Sequence, residues 1–129
     1  MTEYKIGGIK PDDWIVFAKY IFADVGGDVC YFSDRFSKYH RDIAKSFGLS
    51  EDSILGGGCV SVDDTELIFD GGSTIYGAVP REILERLLDK LLAEYKRIEP
   101  VLETVKIDID QDNPPRNRTW EKYLEKTDD

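Results

Sequence analysis

The sequence has little histidine, cysteine and methionine, and each shortage removes a class of functional sites. Among its 129 residues there are one histidine, His40, two cysteines, Cys30 and Cys59, and one methionine. A zinc site that needs two histidines of one chain is therefore excluded, and so are a four-cysteine zinc site and a disulfide scaffold. We expect free thiols, although the sequence leaves one bridge between the two cysteines open. It predicts no metal site and no cofactor.

The sequence also lacks a long hydrophobic run and an excess of positive charge. No stretch approaches the roughly 18 apolar residues of a membrane span, and residues 1–10 hold no apolar run of signal-peptide length. Seventeen Lys and Arg face 26 Asp and Glu, which gives a formal net charge of −9. Such a charge opposes binding to nucleic acid or to an anionic membrane. We expect a cytoplasmic protein that meets any anionic ligand at a local site.

The length and composition fit one folded domain. At 14.7 kDa, with 41% hydrophobic and 33% charged residues, the chain has enough apolar material for one core and is too short for two. No repeat with a period of about 20–50 residues occurs, which argues against a solenoid. We expect a monomer with its domain over residues 1–110. An acidic C-terminal tail over residues 111–129 either docks on this domain or is loose.

One stretch predicts a strand in the middle of a sheet. Residues 15–25, IVFAKYIFADV, are apolar on both alternating faces, as in a strand that is covered on both sides. Lys19 interrupts one face, where a bare ammonium group is costly unless it lies at an opening or meets an anion. Two interpretations stay open: a lysine whose stem is buried and whose charge reaches solvent, or a lysine that binds an anion.

A second stretch predicts a helix that carries the only histidine. Ser33 or Asp34 is suited to cap a helix over residues 33–48, and Gly48 to end it. Its apolar stripe would consist of Phe36, Tyr39, Ile43 and Phe47. His40 borders this stripe, so we expect it either to be partly covered yet reachable or to be an inert, hydrogen-bonded ring. Four cations make the helix locally basic: Arg35, Lys38, Arg41 and Lys45.

The rest of the chain predicts a hairpin, a helix and a strand. Two β-like runs flank Asp63-Asp64, Pro80 opens an amphipathic helix, and residues 101–110 alternate like a last strand. Residues 71–77, GGSTIYG, form either a plain strand or a loop that turns backbone N–H groups toward an anion. Farther on, Trp120, Tyr123 and Leu124 have the spacing of one short amphipathic turn. This order predicts the α/β class, with a mixed β-sheet flanked by helices.

Several catalytic motifs are absent or incomplete. The sequence has no GK[ST] of a phosphate-binding P-loop, no GxSxG of a hydrolase elbow and no GxGxxG at the start of a helix. A tyrosine-phosphatase signature needs an arginine where Phe36 and Thr65 follow the two cysteines. The DxDxD run from Asp108 lacks the glycine and the glutamate of an EF-hand loop. His40, Lys19 and the glycine-flanked loop remain as candidates.

These three features occur in an order that resembles the Janus/ocnus family, whose characterised members are protein phosphohistidine phosphatases. The similar segments are AKYIFADV (18–25), FSKYHRDI (36–43), LGGGCVSV (55–62) and GGSTIYG (71–77). With the helix and the strand that follow, the resemblance covers about residues 14–110. The succession of YHxDI, LGGG and a GxSxxYG loop is fairly specific.

The resemblance implies a metal-independent phosphatase that hydrolyses the P–N bond of phosphohistidine, or of phospholysine and small phosphoramidates. It implies that His40 is the catalytic histidine and that Lys19 contacts the phosphoryl group. It also implies that Ser73, Thr74 and Ile75 bind phosphate through loop groups. The implied fold is a mixed sheet with helices on its faces. The implied partner is a phosphohistidine-containing protein or a small phosphoramidate, without nucleic acid or membrane.

Two departures from the family and two other functions stay open. Cys59 stands where characterised relatives commonly have arginine, and Ile75 where they have alanine, so affinity or substrate range is expected to differ. His40 would act as a general base on water or attack phosphorus itself, with the general base slightly favoured. One alternative function is a module that binds phosphate or a phosphoprotein without turnover. The other is an interaction protein whose acidic surface and Trp120 tail engage a basic partner.

Overall fold

The computed structural model describes residues 2–10, 13, 16–117 and 120–124 of the protein. The strands are β1 (Tyr4–Lys10), β2 (Phe17–Val25), β3 (Asp28–Asp34), β4 (Ile54–Asp63), β5 (Glu66–Gly71) and β6 (Thr104–Ile109), and the α-helices are α1 (His40–Ser46), α2 (Arg81–Ile98) and α3 (Trp120–Leu124). The strands form one mixed sheet in the order β1-β3-β2-β4-β5-β6. The two outer pairs are parallel and the inner pairs antiparallel. The predicted α/β class with a mixed sheet is confirmed.

The strand predicted from the doubly apolar pattern is β2, which pairs with β3 and β4 inside the sheet. Ala18, Tyr20 and Phe22 contribute to a large core that α2 covers. On the other face, Ile21 and Ala23 contribute to a smaller core that α1 covers. Residue 15, where the predicted strand begins, lies outside the described residues.

The helix predicted over residues 33–48 is wrong in its first half. Ser33 and Asp34 end strand β3, and α1 begins only at His40. The Asp34 carboxylate accepts hydrogen bonds from Phe36 N (2.9 Å) and Ser37 Oγ (3.1 Å). It therefore closes a turn after the strand instead of capping a helix, an alternative that short acidic side chains offer to the backbone.

The predicted apolar stripe of this helix is also corrected. Phe36 and Tyr39 precede α1 and are largely exposed, whereas Ile43 is buried and Phe47 packs against the smaller core. Gly48 does end the helical segment, with a φ of +73° that favours glycine. Strands β1 and β3 were not part of the sequence prediction.

The later elements agree with their predictions. The β4–β5 hairpin is present, with Asp63 paired to Glu66 and the turn at Asp64-Thr65. Helix α2 begins directly after Pro80, and β6 lies within residues 101–110. Helix α2 buries Ile83, Leu84, Leu87, Leu91 and Tyr95. No helix in the described part of the chain is both long enough and apolar enough to cross a membrane.

The C-terminal helix α3 is part of the large core. Trp120 and Tyr123 are buried there. The Tyr123 hydroxyl donates to Asp24 Oδ2 (2.5 Å), and the Tyr4 hydroxyl donates to Tyr123 O (3.1 Å). Residues 120–124 of the tail are therefore docked against the sheet and contribute to the stability of the fold.

We expect Trp120→Ala to lower the free energy of unfolding by about 3–5 kcal/mol, because it leaves a large hole in a packed core. Glu121→Ala, at an exposed neighbouring position, serves as the control and should change it by less than about 0.5 kcal/mol. Urea unfolding followed by circular dichroism measures both. Equal unfolding midpoints for the two variants would contradict the docking of α3.

Candidate active site

His40 lies directly over the backbone of β4. It is the first residue of α1, and its Nε2 lies 3.0 Å from Gly58 O. A Cβ atom at Gly57 would lie only 2.6 Å from His40 Cδ2 and 3.2 Å from Nε2. The ring can lie in this position only because residue 57 has no side chain.

The glycine-flanked loop, residues 71–77, meets β4 at the same glycine. Ser73 N donates to Gly57 O and Gly57 N donates to Gly77 O, both at 3.0 Å. Gly77 N in turn donates to Ser73 O at 2.8 Å. Beyond the end of β5, the loop thus forms the backbone hydrogen bonds to this edge of β4. His40 and the loop are thereby fixed to one residue.

The backbone donors of this loop are only partly open. The hydroxyl of buried Ser73 accepts from Ile75 N (3.3 Å) and Tyr76 N (3.0 Å), and Ser73 N is committed to Gly57. Among the three residues that the resemblance implies, Thr74 has the one backbone N–H for which the described part of the chain provides no acceptor. The loop therefore does not offer three available backbone N–H donors to an anion. Thr74 N–H is the donor that remains available.

Lys19 lies on the same face of the sheet as His40. In the strand register it stands between Asp34 of β3 and Cys59 of β4. No ion pair joins Lys19 to a described carboxylate. The Asp34 carboxylate, next to it in register, accepts from Phe36 N and Ser37 Oγ in the turn that follows β3. A half-buried ammonium group without a counter-ion is suited to bind an anion.

Cys59 occupies the position where the resembling family commonly has arginine. It lies in register between Lys19 and Asp70. Burial raises the pKa of its thiol, and the nearby Lys19 charge only partly opposes this. Cys59 is a free, protonated thiol at neutral pH and supplies no positive charge for a phosphoryl group.

The environment of His40 favours the neutral imidazole. Burial lowers the pKa of His40, and the Lys19 charge lowers it further, while the hydrogen bond to Gly58 O opposes the shift. A carbonyl oxygen only accepts, so Nε2 carries the proton in this bond. In the neutral ring the lone pair is then on Nδ1, for which no described residue is a hydrogen-bond partner. Nδ1 is the atom that can accept a proton or attack phosphorus.

A C-terminal segment, residues 110–116, holds the loop from outside. Arg116 donates from a terminal guanidinium nitrogen to Thr74 O (2.7 Å), and Ala78 N donates to Asn113 O (2.9 Å). Asp110 N donates to Gly71 O (3.2 Å). This segment fastens the loop at its start, middle and end. No local sequence pattern predicts this contact, because Arg116 and Thr74 lie 42 residues apart.

A sizeable cavity in the described part of the protein lies away from these residues. It has a volume of about 690 Å³ and lies between the start of α2, β6 and α3. Its lining includes Arg81, Asp108 and Trp120. None of the residues implied by the resemblance contributes to it, so the candidate site is an open surface site and not this cavity.

The chain was also compared with known proteins. A scan against protein-family models and a search of curated proteins each gave no match. Within the described ranges, no group of three or more His, Cys, Asp or Glu residues is placed to hold a metal ion. The functional case therefore depends on the geometry around Gly57 and on the resemblance of the motifs.

The protonation state of the single histidine is directly measurable. We expect NMR titration to give His40 a pKa below about 6.5, and Lys19→Gln to raise it because a nearby positive charge is removed. Lys45→Gln, at an exposed position in the last turn of α1, is the matched control and should leave the pKa in place. A pKa at or above 6.5, or equal effects of the two variants, would argue against this electrostatic arrangement.

The role of Arg116 is tested without any substrate. We expect Arg116→Ala to speed amide hydrogen exchange at Gly77 by about five- to tenfold, because a charged hydrogen bond that restrains the loop is lost. Arg97→Ala removes an exposed arginine that pairs with Glu94 on α2 and should not change this rate. Unchanged exchange at Gly77 in Arg116→Ala would show that the segment does not restrain the loop.

Proposed function

We propose that this protein is a phosphatase that hydrolyses the P–N bond of phosphohistidine without a metal ion, with His40 as the general base. The observation that carries the proposal is the position of His40: a neutral ring with an available Nδ1, next to the glycine-flanked loop and near Lys19, which pairs with no described carboxylate. The resemblance to protein phosphohistidine phosphatases supports the same assignment. We further propose a cytoplasmic monomer as the working form.

Hydrolysis of a P–N bond requires the protein mainly to position the water and the phosphoryl group and to stabilise the negative charge of that group. Water attacks phosphorus, His40 Nδ1 takes a proton from that water, and the P–N bond breaks with its electron pair leaving on the substrate nitrogen. The second ring nitrogen of the substrate imidazole takes a proton from solvent before the bond breaks, so the imidazole leaves as a neutral ring. Inorganic phosphate and histidine are the products, and His40 returns its proton to solvent.

Lys19 and the loop would stabilise the charge on the transferring phosphoryl group. The ammonium group of Lys19 offers charge-assisted hydrogen bonds to phosphoryl oxygens. Thr74 N–H and the Ser73 hydroxyl proton are the loop donors, and the Ile75 backbone shapes the loop. These contacts strengthen as the oxygens gain charge in the transition state, which is where binding lowers the barrier.

Non-catalytic phosphate binding is the second candidate. Two features favour it: Cys59 provides no cation where relatives commonly have arginine, and Ser73 N and Ile75 N already donate within the protein. Both features weaken the hold on the transition state but leave Lys19 and Thr74 to bind phosphate. Turnover, as opposed to binding of one phosphate per chain, distinguishes the two functions.

The test is phosphate release from a phosphohistidine peptide in the presence of a chelator. We expect many turnovers per chain, a loss of at least about 100-fold in kcat for His40→Ala, and a loss of about 10- to 100-fold in kcat/KM for Lys19→Ala. Lys45→Ala is the control for removing a lysine near the site and should retain activity. Activity should fall as the pH drops through the lowered pKa of His40, below about 6.5, because the base becomes protonated.

Two results would overturn the proposal. One is the absence of turnover by the folded, unmodified protein. The other is turnover that survives in His40→Ala. A phosphorylated His40 trapped by rapid acid-free quenching would keep the phosphatase but change the role of His40 from base to nucleophile.

A further inference from the structure

Exposed apolar side chains are frequent on the elements that carry Lys19, His40 and the glycine-flanked loop. Four large ones are well exposed there: Phe36 (75%), Ile75 (61%), Phe17 (51%) and Tyr39 (49%). Phe36 and Tyr39 lie in the connection that leads into α1, and Ile75 lies in the glycine-flanked loop. Phe17 lies two residues before Lys19, on the same face of β2. We call these four residues the apolar rim.

Cations accompany the rim. The guanidinium carbon of Arg41 lies 5.1 Å and Lys38 Nζ 5.5 Å from the centre of the Tyr39 ring. Arg35 lies 5.4 Å from the centre of the Phe36 ring. These distances are typical of cation–π contacts, which keep long side chains along a ring while their charge reaches solvent.

The carboxylates next to these cations accept hydrogen bonds from neutral donors. Asp34 accepts from Phe36 N and Ser37 Oγ, and Asp42 accepts from Tyr39 N at 3.2 Å. No ion pair joins Lys38 or Arg41 to a carboxylate within the described ranges. On a protein of net charge −9, residues 35–45 hold four cations and one acid. The segment that carries His40 is therefore locally positive. One acid from another element lies close to it: Glu51, in the turn before β4, accepts from the hydroxyl of Tyr76, a ring that Arg41 also approaches.

A small phosphorylated compound does not account for the rim. The phosphoryl group itself is served by His40, Lys19 and Thr74, whereas the rim extends into solvent on the β3–α1 connection, the loop and the start of β2. Exposed aromatic residues accompanied by arginine are typical of surfaces that bind other proteins. Cations at such a surface select acidic partners and reject basic ones.

We propose that the site acts on a phosphorylated polypeptide whose flanking residues are acidic and apolar, and that the apolar rim, Lys38 and Arg41 bind those flanks. This inference rests on the proposed P–N hydrolase. Apolar residues on either side of the phosphorylated side chain pack on Phe36, Tyr39 and Phe17. Neighbouring Asp or Glu residues meet Lys38 and Arg41.

The test compares two phosphohistidine peptides of equal length, one with acidic and apolar flanks and one with basic and polar flanks. For the unmodified protein we expect kcat/KM to be at least tenfold higher for the acidic peptide, mainly through a lower KM. Phe36→Ser should raise KM for the acidic peptide at least fivefold. Val101→Ser, at an exposed apolar position that precedes β6, is its control and should leave KM unchanged.

Charge reversal tests the cations separately. The double variant Lys38→Glu/Arg41→Glu should lose the preference for the acidic peptide. Lys96→Glu, at an exposed position in the last turn of α2, should keep it. Raised salt should narrow the difference between the two peptides in the unmodified protein, because exposed charges are screened.

Inorganic phosphoramidate separates failure of this inference from failure of the proposed function. If the unmodified protein hydrolyses phosphoramidate but treats both peptides equally, the flank recognition is wrong and the hydrolase stands. If it hydrolyses none of the three, the hydrolase is wrong. Fluorescence anisotropy of the two labelled peptides then tests whether the protein still prefers acidic and apolar flanks. At least fivefold tighter binding of the acidic peptide then supports peptide binding by the apolar rim, Lys38 and Arg41, and equal binding of the two peptides overturns it.

Discussion

The close approach of the His40 ring to Gly57 is the constraint on which the rest of the site depends. A side chain at residue 57 would collide with the ring and also with Tyr20 O, 2.6 Å away. The neighbouring glycines are needed for other contacts. A Cβ at Gly58 would lie 2.8 Å from the Tyr20 hydroxyl and from Asp70 O, and one at Gly56 would lie 3.0 Å from Ala78 O. The three glycines thus leave room beside β4 for the His40 ring, the Tyr20 hydroxyl and the backbone at Ala78.

A run of glycines weakens a strand, because glycine loses more backbone entropy on folding and has no side chain to pack. The structure offsets this cost through the neighbours of β4. Strand β2 is covered on both faces, α2 buries a long apolar face over one of them, and α3 adds Trp120 and Tyr123 to the same core. The site is thus an open surface on a rigid base, as positioning of a reacting group requires.

Prediction from the sequence worked where periodicity was strong and local. The alternation of β2 and the apolar face of α2 predicted which of their residues are buried. The turn at Asp64-Thr65 depends only on residues of the hairpin itself. Strand β3 was missed because it is buried on both faces and its last residues also look like a helix cap. Strand β1 was missed because it contains Gly7 and Gly8, which leave room for the rings of Phe32 and Phe47. These ring contacts come from distant parts of the chain, so the local sequence of β1 does not predict them.

The candidate site divides in the same way. His40 and Lys19 were accessible from the sequence, since one is the only histidine and the other interrupts an apolar face. The role of Gly57 was not, because the ring above it comes from another element. Arg116 carries no sequence signal, and its contact with Thr74 depends on how the C-terminal segment crosses the loop. The open Nδ1 of His40 likewise follows from a hydrogen bond to Gly58 O that only the tertiary fold creates.

The location of the anion site is tested most directly by NMR titration of the unmodified protein with inorganic phosphate, the product of the proposed reaction. The single imidazole of His40 and the amide of Thr74 report on the proposed site, and the Trp120 indole reports on the cavity between α2, β6 and α3. We predict saturable shifts at His40 and Thr74 with the indole signal unmoved. Shifts confined to Trp120, or no shift at His40 up to saturating phosphate, would contradict the claim that Gly57 marks a phosphoryl-binding site.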